Sequence, residues 1–126
     1  MDVNIPDNLK YSDEHEWIAA DGTVGITAFA VEQIGDIVFV ELPAIGTEVT
    51  ATKPFGVIES VKAVSELFAP ATGKVVAIND ALSDAPETVA KDCYGAGWLV
   101  KIEVSDPAGL AALKDAAAYK AMIASG

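Results

Sequence analysis

The chain has 126 residues, 52% of them hydrophobic, enough for one core and too few for two well-packed ones, so residues 1–126 are expected to form a single domain. With 19 acidic residues against 8 lysines and no arginine, the net charge of −11 argues against nucleic acid, whose phosphates are met by clustered Lys and Arg. It suits an acidic protein that meets basic patches on other proteins, and no apolar run approaches the roughly 20 residues that span a bilayer.

Near the N-terminus, Trp17 to Ile26 places Asp21-Gly22 between two apolar-rich runs, which predicts a tight hairpin. Thr27 can cap a short helix through Ala28 to Ile34, and Gly35 can end it in the left-handed conformation. Asp36 to Leu42 is rich in Val, Ile and Phe and reads as a strand buried on much of both faces, stopped by Pro43 and Gly46. A shorter strand covers Val49 to Thr52, and Pro54 opens another over Phe55 to Val61. Val64 to Ala69 follows, and Pro70 with Gly73 separates it from Lys74 to Ile78. Lys62 therefore falls between two strands, in a stretch Val61-Lys62-Ala63 that holds no Gly, Asn or Asp from which a turn could be derived.

Asn79 to Tyr94 is polar and irregular, with a short helical turn able to start at Pro86. Trp98 to Val104 reads as a strand after the Gly95 and Gly97 breakers. Asp106 and Pro107 mark the start of a C-terminal helix whose stripe of Leu110, Leu113, Ala117 and Ala121 is expected to pack on the sheets.

Little here points to catalysis by the chain itself. The lone Cys93 can form no intramolecular disulfide and reads as a buried or half-buried small side chain, and the only histidine, His15, reads as a structural anchor. Cys and His cannot between them assemble a zinc site, and no phosphate loop, nucleophile elbow or zincin motif occurs. Trp17, Trp98, Phe39 and Phe68 read as core, because their strands lack the basic residues of a nucleobase platform.

One lysine stands out by its setting. Glu59-Ser60-Val61-Lys62-Ala63, followed by Ala69-Pro70-Ala71-Thr72-Gly73-Lys74-Val75, resembles the lipoyl-attachment segment of the glycine cleavage system H proteins. The likeness extends to Lys10-Tyr11-Ser12, His15-Glu16-Trp17, Val24 to Thr27, Gly35 to Pro43, Asn79 to Leu82, Pro86-Glu87 and Tyr94 to Trp98, in the family's order and at about its spacing. Val31 and Cys93 stand where the family usually has glutamine and proline, and neither touches the lysine. Biotin carriers usually place their lysine between methionines, and the lipoyl domains of 2-oxoacid dehydrogenases commonly precede it with aspartate, so the Val61 and Ala63 neighbours favour the H-protein pattern.

That resemblance implies a mainly β fold, an antiparallel barrel-sandwich hybrid of the lipoyl-carrier type with Lys62 at a hairpin tip, a short helix near residue 30 and a C-terminal helix. It implies a non-catalytic, monomeric carrier with lipoate bound through an amide to Lys62 and with Glu59, Ser60, Val61 and Ala63 read by the lipoyl-attaching enzyme. Glu16 and Glu66 would line an acidic cleft in which the amine-loaded arm rests, since a carboxylate favours a protonated amine. The implied partners are a pyridoxal-phosphate glycine decarboxylase, a folate-dependent aminomethyltransferase and dihydrolipoyl dehydrogenase, in the cytoplasm of a bacterium or, for a processed eukaryotic chain, the mitochondrial matrix. A lipoyl relay that donates its group to other lipoyl proteins is the nearest alternative. A plain β-rich interaction module with an unmodified Lys62 is the other.

Overall fold

The computed structural model describes residues 5–125 and contains two antiparallel sheets. In chain order the strands are β1 (Lys10–Tyr11), β2 (Glu16–Ile18), β3 (Thr23–Ile26), β4 (Ile37–Glu41), β5 (Glu48–Val49), β6 (Pro54–Ser60), β7 (Val64–Phe68), β8 (Gly73–Ile78) and β9 (Val100–Val104). The larger sheet runs β1-β2-β3-β9-β8-β5 and the smaller β4-β6-β7. Helices α1 (Ala28–Ile34), α2 (Thr88–Lys91), α3 (Pro107–Ala111) and α4 (Ala116–Ser125) fill the connections and the C-terminus, with a 3-10 turn at Asp80–Ser83. The architecture is mainly β, as the strand-rich sequence predicts.

The β2-β3 hairpin forms where Asp21-Gly22 predicts it. Gly22 N donates to Ala19 O at 3.0 Å with Gly22 at φ +93°, and a Cβ there would stand 2.1 Å from Ile102 O, so glycine is needed for both the turn and the close approach to β9. Thr27 caps α1, its Oγ1 accepting from Ala30 N at 3.2 Å. Gly35 ends the helix at φ +85°, ψ −143°, a conformation outside the left-handed helical region that glycine alone enters freely.

Between the sheets lies an apolar core that includes Ile18, Val24, Ile26, Val40, Ile58, Leu67, Val75, Leu99 and Ile102. A second cluster of Ile5, Leu9, Tyr11, Trp17, Ala116 and Tyr119 fastens α4 to the β1-β2 edge, with Tyr11 and Tyr119 stacked at 4.8 Å. Trp17 Nε1 donates to Ile26 O at 3.1 Å and to Cys93 O at 3.0 Å, which joins the two clusters through a satisfied polar atom. Cys93 is buried as expected, and burial pushes its thiol up to about 11, so it is an inert small side chain at neutral pH.

Several expectations are corrected. The apolar run of Asp36 to Leu42 predicts a strand buried on both faces, yet Val38 is 55% and Phe39 46% exposed. A register shift between Ile37 and Phe39 twists β4 at the margin of its three-stranded sheet, so Ile37 and Val40 face the core and Phe39 does not belong to it. Phe68 is half-buried on a cavity wall instead of in the core, whereas Trp98, also half-buried, packs against the second cluster as expected.

The C-terminal helix is two helices. The chain leaves α3 after Ala111, and Lys114 pairs with Tyr11 in an isolated antiparallel bridge that extends the β1 edge. Asp115 then starts α4 afresh, its Oδ1 accepting from Ala118 N at 2.8 Å. The restart rotates the stripe: Ala116 and Tyr119 are buried, while Ala117 and Ala121 face solvent. In the irregular stretch, Asn79 is buried and its Nδ2 donates to Ala96 O and Trp98 O, both at 2.8 Å, so this polar residue clamps the loop that leads into β9.

Candidate functional site

Lys62 sits at the tip of the β6-β7 hairpin, the connection that lacks Gly, Asn and Asp. Ser60 supplies the turn chemistry. Ser60 N donates to Ala63 O at 2.8 Å, and the Ser60 hydroxyl receives Ala63 N at 3.1 Å and Lys62 N at 3.3 Å while lying 3.2 Å from Ala63 O. Val61 N donates to Asp36 O at 3.1 Å, which ties the tip to the entry of β4. The apex is thus held by backbone on both sides, with Lys62 itself exposed and in no ion pair among the described residues. Its side chain lies over the end of α1, since a Cβ on Gly35 would stand 3.6 Å from Lys62 Cε and 3.9 Å from Nζ.

Around the tip the sheet presents an unusual outer face. The register aligns Phe39 with Glu59 and Glu59 with Val64 in one row, and Glu41 with Val57 and Val57 with Glu66 in the next. Val61 is 73% and Val64 66% exposed, so apolar side chains flank Lys62 beside Glu59, which is half-buried. Of the segment named from sequence, Ser60 is buried and structural, whereas Val61, Lys62 and Ala63 are open to a partner.

Glu16 and Glu66, separated by most of the first half of the chain, line one cavity of about 360 Å³ together with Glu14, His15, Gln33 and Phe68. Ile26, Ala30, Ile34 and Ile58 give it an apolar floor. Its size falls within the range of about 300–1,000 Å³ usual for small-ligand clefts. Glu16 comes from β2 in the larger sheet and Glu66 from β7 in the smaller, so the cavity opens where the sheets meet.

Glu16 is the unusual member of the pair, for it is only 2% exposed. Ser12 Oγ donates to its Oε1 at 2.7 Å and Phe68 N to its Oε2 at 3.2 Å, the second bond stitching the two sheets together. Burial outweighs those bonds and pushes the carboxyl up to about 8, so at neutral pH it holds a proton for most of the time unless a cation joins it. Glu66 is exposed on β7, the edge strand of the smaller sheet, and borders the cavity from there.

His15 occupies the same wall in a strained left-handed conformation, φ +71°, which histidine tolerates better than most residues. Its Nδ1 lies 2.7 Å from Tyr119 OH, so the anchoring role read from sequence is seen as a contact to α4. Glu14 was missed in the sequence. The available signal was its place beside the His15-Glu16 pair on a short loop between strands, where alternate residues can share a wall.

Comparisons with known proteins fit this geometry. The profile of the family described as Glycine cleavage H-protein matches residues 9–126. The chain is 59% identical over 126 residues to a glycine cleavage system H protein of Myxococcus xanthus, covering 98% of each. It is 56% identical over 124 residues to one of Anaeromyxobacter sp. strain K, covering 96% of this chain and 97% of the relative. Among solved structures it resembles a glycine cleavage system H protein from Mycobacterium marinum with a TM-score of 0.86 and 43% identity, covering 95% of this chain and 99% of that one.

Proposed function

The chain belongs to the glycine cleavage H-protein family, and from this we propose that Lys62 is the residue that bears its lipoyl group, joined to Nζ through an amide. The protein is a lipoyl carrier of the glycine cleavage system and no enzyme in its own right. The observation that carries the Lys62 assignment is the hairpin tip: an exposed lysine at the apex of a turn pinned by Ser60 and by Asp36. A modifying enzyme needs an amine it can reach on a scaffold that does not yield, and this tip meets both needs.

When bound, lipoate supplies a dithiolane whose disulfide accepts electrons and the aminomethyl group of glycine, chemistry that one buried cysteine cannot provide. The chain's own residues do the rest. Val61, Val64 and Phe39 give partners an apolar landing face beside the arm, and Glu41, Glu59 and Glu66 give it the charge that orients basic surfaces. Tethering then presents the cargo at high effective concentration once the carrier has docked.

In this reading the carrier takes the aminomethyl group at the pyridoxal-phosphate decarboxylase, yields the one-carbon unit and ammonia at the folate-dependent aminomethyltransferase, and is reoxidised by dihydrolipoyl dehydrogenase. It works as a monomer, so that one hairpin faces each enzyme in turn. The cytoplasm is its setting, a choice supported by the bacterial sources of its relatives. Between visits the loaded arm folds back into the cavity at the sheet junction. There Glu14 and Glu66 offer carboxylates to a protonated amine, and Glu16 joins them when the cation's charge draws off its proton.

The test is direct. Purified chain is incubated with lipoate, ATP and a lipoate ligase, and its intact mass is read beside a Lys62→Arg control. One lipoyl group added to the wild type alone is the expected result. Addition to both proteins, or to neither while both remain folded, would overturn the assignment and leave a β-rich interaction module.

A further inference from the structure

Behind the cavity wall, three side chains form a chain of short contacts between α1, α4 and the β1-β2 loop. Tyr119 OH lies 2.7 Å from His15 Nδ1 and 2.7 Å from Thr27 Oγ1, and Thr27 Oγ1 also accepts from Ala30 N at 3.2 Å. Tyr119 and Thr27 are both 0% exposed, so each hydroxyl proton needs an acceptor within the protein. The Tyr119 proton has two acceptors within reach, Thr27 Oγ1 and His15 Nδ1. If Tyr119 donated to Thr27, the Thr27 oxygen would accept twice and its own proton would have no acceptor among the described residues.

In the reverse order every proton is used. Thr27 donates to Tyr119, Tyr119 donates to His15 Nδ1, and Nδ1 therefore carries no hydrogen. The imidazole is then neutral, with its proton on Nε2.

We infer that Tyr119 is a positioning residue that holds His15 neutral, with its proton on Nε2, on the wall of the carboxylate-lined cavity, leaving the charge of Glu14 free to meet a protonated primary amine. An imidazolium at this position would be a built-in counter-ion to Glu14, competing with the incoming cation for that carboxylate. The inference rests on the proposed folding of the loaded lipoyl arm into the cavity. It goes further by naming what selects the charge of the cargo.

The groups facing His15 come from each neighbouring element. Phe29 of α1 stands over the ring at 4.9 Å and Tyr119 reaches it from α4. Glu14 and Glu16 flank it in the chain, and Asp13, earlier in the β1-β2 loop, pairs with Lys114. Glu66 joins the same cavity from β7. Burial lowers the imidazole's affinity for a proton, and Glu14 and Asp13 oppose that effect. The hydroxyl chain adds to burial, because protonating Nδ1 would force Tyr119 to turn its proton back toward Thr27.

Tyr119→Phe removes only the hydroxyl and keeps the ring stacked on Tyr11. His15→Asn keeps a residue that tolerates the left-handed backbone and removes the titrating ring. Ring-nitrogen NMR of the full-length lipoylated proteins should show wild-type His15 with an unprotonated Nδ1. Tyr119→Phe should show mixed tautomers and a titration midpoint raised by about one pH unit. Docking of the arm carrying its aminomethyl group is read from the Glu66 and Phe68 amide shifts. It should be about fivefold weaker in Tyr119→Phe than in wild type near pH 6 and equal near pH 8, with His15→Asn docking better than Tyr119→Phe at the lower pH.

Ring-nitrogen shifts and docking that are the same in wild type and Tyr119→Phe would overturn the inference alone. Cavity amides that ignore loading in the wild type would overturn the docking reading and the inference with it. The ring-nitrogen spectra, which need no cargo, tell the two failures apart.

Discussion

Glu16 illustrates how one side chain can trade stability for a site. Its carboxyl is buried where two sheets meet, and the bonds from Ser12 and Phe68 do not fully replace lost water, so its folded pKa of about 8 stands far above the ordinary 4.5. Across that window the native state binds more protons than the unfolded chain, so this group favours folding at the acid end and weakens it as pH rises toward 8. Glu16→Gln keeps an amide oxygen for Phe68 N and cannot ionise. The variant's stability should therefore climb relative to wild type by about 4 kcal/mol between pH 5 and pH 9. Denaturant unfolding at both pH values measures it, and a gap that stays constant would show that the wild-type carboxylate is well solvated. His15, with a lowered proton affinity, acts with the opposite sign, but it is present in both proteins and cancels in the comparison. The same variant should dock a cationic arm less well, since an amide offers no charge to it.

Among the elements, the β6-β7 hairpin shows most clearly what the sequence carries and what it hides. Its strands were legible from Pro54, the apolar runs and Pro70, but its turn was not, because a serine hydroxyl does the work usually given to Gly, Asn or Asp. Ser60→Ala removes the acceptor for two backbone N–H groups at the tip, and should cost about 1 kcal/mol of stability. Because the loss falls on the mounting of Lys62 and leaves its amine untouched, lipoylation should slow several-fold without stopping. An intact-mass time course with limiting ligase measures this, and a rate equal to wild type would mean that the ligase imposes the turn itself. The hairpin of β2 and β3 and the span of helix α1 were legible because Asp21-Gly22, Thr27 and Gly35 act locally, although Gly35 ends the helix outside the left-handed conformation expected of it. The break between α3 and α4 was not, since it is set by the pairing of Lys114 with Tyr11, a contact across most of the chain. The cavity was legible only in part: resemblance supplied Glu16 and Glu66, while Glu14 and the His15-Tyr119-Thr27 chain exist only once α4 has packed on β1 and β2.

For the molecule as a whole, charge and shape divide the labour of a carrier that must bind several enzymes without staying on any. The buried clusters and the satisfied Trp17 fix the two sheets, so the hairpin is presented from a frame that changes little between partners. The net charge of −11 acts at longer range and adds to the rate of encounter more than to the lifetime of the complex. That division has a measurable consequence. Raising salt from about 0.01 M to about 0.15 M shortens the Debye length from about 30 Å to about 8 Å, which removes most of the steering while leaving the apolar contacts proposed for Phe39, Val61 and Val64 in place. Association with the decarboxylase or the aminomethyltransferase, followed by stopped flow, should therefore slow by about tenfold or more, with dissociation changed far less. Equal effects on both rates would mean that the acidic residues make close ion pairs inside the interface. In that case Glu41, Glu59 and Glu66, which share the outer face of the small sheet with the apolar contacts, would be the first residues to exchange for glutamine.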